Sequence, residues 1–481
     1  MAATLDSPST PELASLAAPM DNPCLSKWQR STRACQLLNV NRNVPVRSKS
    51  EYVVLGSGLS GALTVFNLLE NGVKGSDVLI LEARELAGGA TSRNAGHIRP
   101  DPLRSFTRQA AIHGVEQAVR IIESERQVFE KLTDFIEKYK IPCDLDKTTT
   151  LDVCMTPFFV DYNASALKRL KQAKADTSDI RVHEGPTAET ASRISGALAA
   201  YEWPAASVHP ALLTHWILQS VVSKGVTIYT HCPALKIKES PKTSLVLSPV
   251  EPATTTWDVQ TRRGTITTSK VIHCTNAYAG LLLPELLPLI TPKTAQAQSV
   301  VPPPALSGDR KLHQTYRINY ALLHGYSLIQ SPGDGSIVLG GSLVNPTLSQ
   351  KSLDSIIGMD DRSANMEVAR DRVLNFQKCF LSGASMNNIL GQGLEHSWCG
   401  IIGETTDFVP FVGGLPGREG QFICAGFNGF GMVNILTCAE AVAKITKGMS
   451  FRDTLLPDCF EITGERLARM NKSKAPNRPY L

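Results

Sequence analysis

The segment Gly56-Ser57-Gly58-Leu59-Ser60-Gly61 constrains the fold more than any other part of this 481-residue chain. It follows Tyr52-Val53-Val54-Leu55, a short apolar run with β-branched residues that reads as a buried strand. After it, Ala62, Leu63, Val65, Phe66, Leu68 and Leu69 fall at helical spacing, and Asn71-Gly72 closes the helix. Asp77-Val78-Leu79-Ile80-Leu81-Glu82 is a second buried strand. Strand, glycine turn, helix and strand in this order form a dinucleotide-binding βαβ unit. Gly56 permits the tight turn, Gly58 lets the backbone approach a pyrophosphate, and Gly61 lets the helix pack close to the strand. The helix N-terminus presents N–H groups and a partial positive charge to the phosphates. Glu82, at the end of the second strand, is placed to accept hydrogen bonds from a ribose diol.

Composition narrows the remainder. Hydrophobic residues at 42% and charged residues at 19% exclude a fully disordered chain. The formal net charge is +5 and is spread along the sequence, so no nucleic-acid partner is expected. The eleven cysteines are odd in number and include no C-x-x-C pair, which disfavours a disulfide framework and a zinc site. No metal is expected, and the simplest reading is a reducing compartment. No apolar stretch reaches the roughly 18 residues of a membrane span, and the N-terminus lacks a secretory pattern. A cytoplasmic protein without membrane partners is the expectation. Residues 1–44 are expected to be a flexible N-terminal extension, with the composition of disorder over 1–22 and scattered apolar residues over 23–48 that pack loosely on the following domain, and 456–481 a C-terminal tail.

The motif alone does not separate NAD from FAD; the next segment does. Glu82-Ala83-Arg84-Glu85 runs into Gly88-Gly89-Ala90-Thr91-Ser92-Arg93-Asn94-Ala95-Gly96-His97. This second glycine-rich, hydroxyl-bearing loop resembles the flavin loop of the D-amino-acid-oxidase-like (DAO) family of FAD oxidoreductases. In that family the loop lies along the pyrophosphate and ribityl chain, which implies contacts from Ala83, Arg84, Ala90, Thr91 and Ser92. Gly225 to Thr230 resembles the family's strand that leads to the adenine site, implying backbone contacts near Ala234 and Leu235. Val271 to Tyr278 resembles the "A-T-N-A-Y" strand and turn, with Asn276 at the cofactor. Trp398 to Gly403, then Asp407, Pro410, Gly413 and Gly426 to Met432, resemble the C-terminal flavin segment, which contributes Gly429, Phe430, Gly431 and Met432. A helix over 434–447 would aim its N-terminus at the flavin C2 carbonyl, worth about 1 kcal/mol to charge on the reduced ring.

The resemblance spans residues 45–455. It implies an α/β fold: a Rossmann-like FAD-binding domain (45–115, 205–300, 390–455) interleaved with an α+β substrate domain (116–204, 301–389) built on an antiparallel sheet. The expected cofactor is FAD. The expected activity is oxidation of a C–N bond of an amine or amino-acid-like small molecule, with hydride passing to flavin N5 and molecular oxygen or another acceptor reoxidising it. Two alternatives stand beside it: a tailoring oxidoreductase of specialised metabolism acting on a larger molecule, and an inactive flavin-binding scaffold or sensor.

His97 and Arg99 follow the flavin loop and are candidates for the ring's surroundings. Tyr326 and Arg317 are candidates from the substrate domain, since Arg can hold a carboxylate bidentately. His396 is a further candidate. Some family members attach FAD through a cysteine; Cys399 is near that position, but alignment places the attachment at Gly400. Others attach it to a histidine, near Arg93 here. A lysine that helps some members use oxygen corresponds to Val338, and Phe430 replaces a histidine. Residues 115–138 form an amphipathic helix read as packing, with Val119, Ile122, Phe129, Leu132 and Phe135 on one face.

Overall fold

The computed structural model describes residues 19–241, 255–341, 343–381 and 393–472. Residues 1–18 of the expected extension and 473–481 of the expected tail lie outside the described residues.

The strand Tyr52–Leu55 pairs in parallel with Val78–Leu81 on one side and Lys270–His273 on the other. Thr227–Tyr229, Gln421–Ala425 and Phe411–Gly414 extend this to a six-stranded sheet, antiparallel only at the last pair. Side chains alternate across a strand, and here both faces are covered. Tyr52, Val54, Val78 and Ile80 enter a core with the helices Leu59–Glu70, Pro210–Ser223 and Ile435–Ile445. Val53, Leu55, Leu79 and Leu81 enter a second core beneath a three-stranded sheet formed by Lys236–Glu239, Trp257–Thr261 and Gly264–Thr268. Burial on both faces is why these strands read as continuous apolar runs rather than alternating ones.

A second, nine-stranded sheet runs in the order Gly393–Thr405, Ile290–Val301, Ile337–Gly341, His324–Gln330, Thr315–Ala321, Asp146–Cys154, Ala199–Ser207 and His97–Ile98, with Arg181–Glu184 paired to Ala199–Ser207. It is antiparallel except where Thr315–Ala321 meets Asp146–Cys154. The mixed α/β architecture is the expected class, a Rossmann-like layer interleaved with a large sheet.

Three expected boundaries differ. The strands Ile290–Val301 and Gly393–Thr405, assigned from sequence to the cofactor domain, pair along their whole length inside the nine-stranded sheet. The helix Val115–Lys138, assigned to the substrate domain, stacks Phe135 edge-on to Phe66 of the Leu59–Glu70 helix, with ring centroids 5.2 Å apart. Its Ala118 and Ile122 pack instead with Phe106 and Phe159, so it joins two cores. Residues 24–44, assigned to the extension and expected to pack only loosely, bury Ser26, Trp28, Gln29, Thr32 and Leu38. Ser26 caps a short helix through a reciprocal capping box with Gln29, and Trp28 is buried. The tail is anchored as well: Arg466 makes a two-bond ion pair with Asp407, at 2.8 and 3.0 Å. Among the described residues no helix is long and apolar enough to cross a membrane. All eleven cysteines are free thiols.

Candidate functional site

A single cavity of about 390 Å³ runs from the glycine turn to the nine-stranded sheet. At one end lie Gly56, Gly58, Leu59 and Ser60. Gly56 has φ +103°, a conformation that favours glycine, and a Cβ there would lie 2.7 Å from the Cys274 carbonyl oxygen. Gly58 starts the helix without any side-chain cap. The Leu59 N–H donates to Thr91 Oγ1 at 2.9 Å, so the second loop closes the helix start. Ser57 and Gly61 do not line the cavity. Ser57 instead donates through its N–H (3.0 Å) and Oγ (2.6 Å) to Glu82 Oε2, and Gly61 packs on the Gly56 carbonyl. Glu82 Oε1 accepts from the Arg84 N–H. The Glu82 carboxylate, fixed from both sides, still faces the cavity together with Ala83 and Arg84.

The second loop is held from outside. Trp28 Nε1 donates to Asn94 O at 2.8 Å, Trp398 Nε1 to Arg93 O at 2.9 Å, and Ser26 Oγ to Ser92 O. Arg93 returns bonds to Gly88 O and Cys399 O. Ala90 and Thr91 therefore face the cavity, while Ser92 is buried beside it. Ala234 lines the wall, whereas Leu235 is half exposed and outside it. Asn276 Oδ1 accepts from Gly426 N (3.0 Å) and Phe427 N (3.1 Å), tying the 275–277 turn to the C-terminal segment. Gly429, Phe430, Gly431 and Met432 all line the cavity, just before the Ile435–Ile445 helix. Backbone N–H groups, small residues and one carboxylate along an elongated cleft suit the phosphates, chain and ribose of FAD.

At Gly400 a Cβ would meet Arg93 Cβ at 2.9 Å, and Gly400 lines the cavity without a thiol. Cys399 is turned away, donating to Ser363 O at 3.1 Å. Val338 is fully buried with Trp28 and Trp398. Among the described residues no lysine lines the cavity.

The far end is chemically distinct. His97, Arg99, Arg104, Arg317, Gln296 and Ser327 line it. Both His97 ring nitrogens are buried without a hydrogen-bond partner. Burial, reinforced by Arg99 and Arg317, pushes its pKa down to about 3, so the ring is neutral. Arg317 Nε donates to Asn319 Oδ1, while its Nη2 is buried and meets no acceptor. Arg99 stands 3.5 Å from Asp152 and 4.0 Å from Asp101. Arg104 stands 3.4 Å from Asp101. Behind them, Glu125 Oε2 accepts from the Asp101 N–H. Burial raises the Glu125 pKa to about 8, with the Asp101 charge adding to the rise and Arg108 and Arg99 opposing it.

Tyr326 is not brought to the cavity. Arg317 pairs across the sheet with Ser327, and Ile318 pairs with Tyr326. Strand parity therefore puts Ser327 beside Arg317 and Tyr326 on the opposite face, where its hydroxyl donates to Asp371 at 2.9 Å. His396 is also outside, bonded to Leu25 O at 2.5 Å. Arg104, Gln296, Ser327 and the carboxylates of Asp101, Glu125 and Asp152 escaped the sequence reading. The Arg99-x-Asp101-x-x-Arg104 run after the flavin loop was the one local signal for part of this group.

Two outcomes follow from this geometry. Glu82→Gln removes the charge of an acceptor that holds three protein N–H or O–H donors and that is expected to meet a ribose diol. It is expected to weaken FAD binding by about 1.5 kcal/mol, roughly tenfold, as read by fluorescence titration of the apoprotein. Glu125 keeps its proton below pH 8, and above it a negative charge appears beside Asp101, Arg99 and Arg108. The affinity of the site for a simple carboxylate such as propionate is expected to fall several-fold between pH 7 and 9, and Glu125→Gln to flatten that profile. Folding linkage has the same sign: the folded pKa is raised above the ordinary 4.5, so this group's contribution to stability is complete below that value and lost as pH rises through about 8.

Residues 51–445 match the model of the DAO family, described as FAD dependent oxidoreductase. The chain is 23% identical over 421 residues to mitochondrial sarcosine dehydrogenase of Mus musculus, covering 83% of this chain and 40% of that protein. It is 17% identical over 199 residues to a Rieske 2Fe-2S iron-sulfur protein of Bacillus subtilis, covering 41% of this chain and 37% of that one. The chain thus spans no more than 40% of the length of these curated relatives. Among solved structures it is similar to L-proline dehydrogenase from P. horikoshii, with TM-score 0.64, 20% identity and coverage of 90% of this chain and 100% of the other. It is also similar to glycine oxidase from Geobacillus kaustophilus, with TM-score 0.64, 16% identity and coverage of 87% and 99%.

Proposed function

The chain belongs to the DAO family of FAD-dependent oxidoreductases, and from that premise we propose that it oxidises a carbon–nitrogen bond of an amine or amino-acid-like substrate through a carboxylate held by Arg317. The observation that carries this reading is the buried Arg317 side chain lining the same cavity as the cofactor cradle. A guanidinium fork matches a carboxylate with two parallel bonds and fixes the substrate's orientation as well as its position. FAD, when bound, supplies the two-electron acceptor that takes hydride at N5 from the carbon next to nitrogen.

The chain's own residues do the rest. Arg317 fixes the carboxylate, and with it the direction of the neighbouring C–H bond. His97, neutral because its pKa lies near 3, is a poor base and a poor acid at physiological pH. It serves as a neutral wall of the cavity rather than as a proton carrier. Phe430 lines the cavity beside Gly429 and Gly431 and adds an apolar side chain to that edge. The substrate amine loses hydride from carbon and a proton from nitrogen, and the imine takes up water to give a carbonyl compound and a smaller amine or ammonia. The mitochondrial sarcosine dehydrogenase relative and the glycine oxidase and L-proline dehydrogenase structures carry names of this substrate type. Product analysis tests the reading: one imine, or the carbonyl and amine groups it hydrolyses to, is expected per two electrons delivered, and two-electron turnover that leaves the C–N bond unoxidised contradicts it.

A further inference from the structure

We propose, building on the reading above, that the substrate carries a second anionic group, held by Arg99 and Arg104 beside the carboxylate on Arg317. The argument starts from charge. Four guanidiniums, of Arg99, Arg104, Arg108 and Arg317, converge behind and along one end of the cavity, and the carboxylates facing them are Asp101, Asp152, Glu125 and, at Arg108, Glu404, whose charge is matched by its ion pair with Lys293. Glu125 retains its proton at neutral pH, so with the Lys293–Glu404 pair set aside as neutral the four guanidiniums face two ionised carboxylates, Asp101 and Asp152, an excess of two. A single substrate carboxylate neutralises one of these charges, and an unmatched charge in a buried site is unfavourable.

Geometry says which arginines are available. Arg108 lies over the rings of Phe408 and Phe430, at 4.6 and 5.7 Å from their centroids, and does not line the cavity. Arg99, Arg104 and Arg317 do. Asp152 is held through Oδ1 by the amides of Asn163 (3.1 Å) and Asn319 (2.7 Å), which leaves Oδ2 3.5 Å from Arg99 Nη1. That pair attracts without a hydrogen bond: Arg99 Nη1 is buried with no acceptor, as is Arg317 Nη2. Asp101 sits 4.0 Å from Arg99 and 3.4 Å from Arg104 and shares its charge between them. Charges that balance only loosely, at three guanidiniums that line one cavity, describe a site suited to an oxyanion. An amine with two acidic groups, in the neutral-amine form that can be oxidised, carries two negative charges and matches the excess. A second carboxylate and a phosphoryl group share this chemistry.

Titration of the holoenzyme's flavin absorbance with unreactive acids tests the inference independently of turnover. Succinate is expected to bind at least tenfold more tightly than propionate. Arg104→Gln, at the most exposed of the three arginines, is expected to reduce that gain below threefold while changing propionate binding less than threefold. Asp152→Asn, which frees Arg99, is expected to tighten succinate further. 3-Phosphonopropionate binding tighter than succinate assigns a phosphoryl group to the second position, and the reverse order assigns a carboxylate. Succinate binding no tighter than propionate, or a preference that survives Arg104→Gln, overturns the inference and leaves the Arg317 reading intact. If propionate itself leaves the spectrum unchanged at saturating concentration, the Arg317 reading fails, and this inference with it.

Discussion

Gly58→Ala is expected to give a folded protein that no longer retains FAD, whereas Gly61→Ala is expected to lose the fold itself. The two glycines are three residues apart, and the difference lies in what a Cβ meets. At Gly58 it would stand 2.9 Å from Thr91 Oγ1, a hydroxyl that can rotate away at the loss of its bond from Leu59 N, about 1 kcal/mol. The backbone there has φ −66°, which alanine adopts without strain. The new methyl group instead occupies the space through which a pyrophosphate reaches the backbone, and a loss on the order of 10²-fold in FAD affinity is expected, about 2.7 kcal/mol. At Gly61 a Cβ would lie 2.0 Å from the Gly56 carbonyl oxygen. Neither atom can move without parting the helix from the strand, so destabilisation of at least about 3 kcal/mol is expected, the upper end of ordinary overpacking. Thermal melts of the apoproteins and FAD titration separate the two outcomes. Wild-type FAD affinity in Gly58→Ala would contradict the placement of the pyrophosphate.

Arg317→Met is expected to raise KM for a carboxylate-bearing substrate by on the order of 10²-fold or more, since removing one partner of a buried charge pair costs about 2–5 kcal/mol. Arg317→Lys is expected to recover part of this, because an ammonium provides the charge without the two-bond fork. The same substitution is not expected to lower the melting temperature. Burial depresses the Arg317 pKa well below the usual guanidinium range, and its neighbours Arg104 and Arg99 add repulsion. A methionine of similar length removes both burdens while filling the space. A large KM effect with an unchanged or higher Tm identifies a group retained for binding at the expense of stability. A fall in Tm with KM unchanged would assign Arg317 to the fold instead.

The sequence was most legible where function and local structure coincide. The βαβ unit could be read because strand, turn and helix are contiguous and glycine alone suits Gly56 and Gly61. The second loop was legible as a loop, but not what holds it: Trp28 and Ser26 come from a segment whose scattered apolar residues carry no periodicity, and Trp398 lies some 300 positions away. Tyr326 illustrates the limit of pattern reading in a strand. The hairpin was recognised, but which of two adjacent residues faces the site depends on register with Thr315–Ala321, and a one-residue difference exchanges Tyr326 for Ser327. Arg317 was singled out as a candidate by the chemistry of its side chain, and it lines the cavity. Asp152, Glu125 and Asp101 were not, because their grouping exists only once a helix and two strands from separate parts of the chain have packed. The domain boundaries moved for the same reason: long-range pairing of Ile290–Val301 with Gly393–Thr405 leaves no local mark.

The most direct measurement is anaerobic mixing of the holoenzyme with matched amines that differ only in the presence of a carboxylate, followed through the flavin absorbance. The account predicts that carboxylate-bearing amines bleach the oxidised flavin band and that their decarboxylated counterparts do so at least 100-fold more slowly. Equal bleaching by both sets, or none by either, would contradict it.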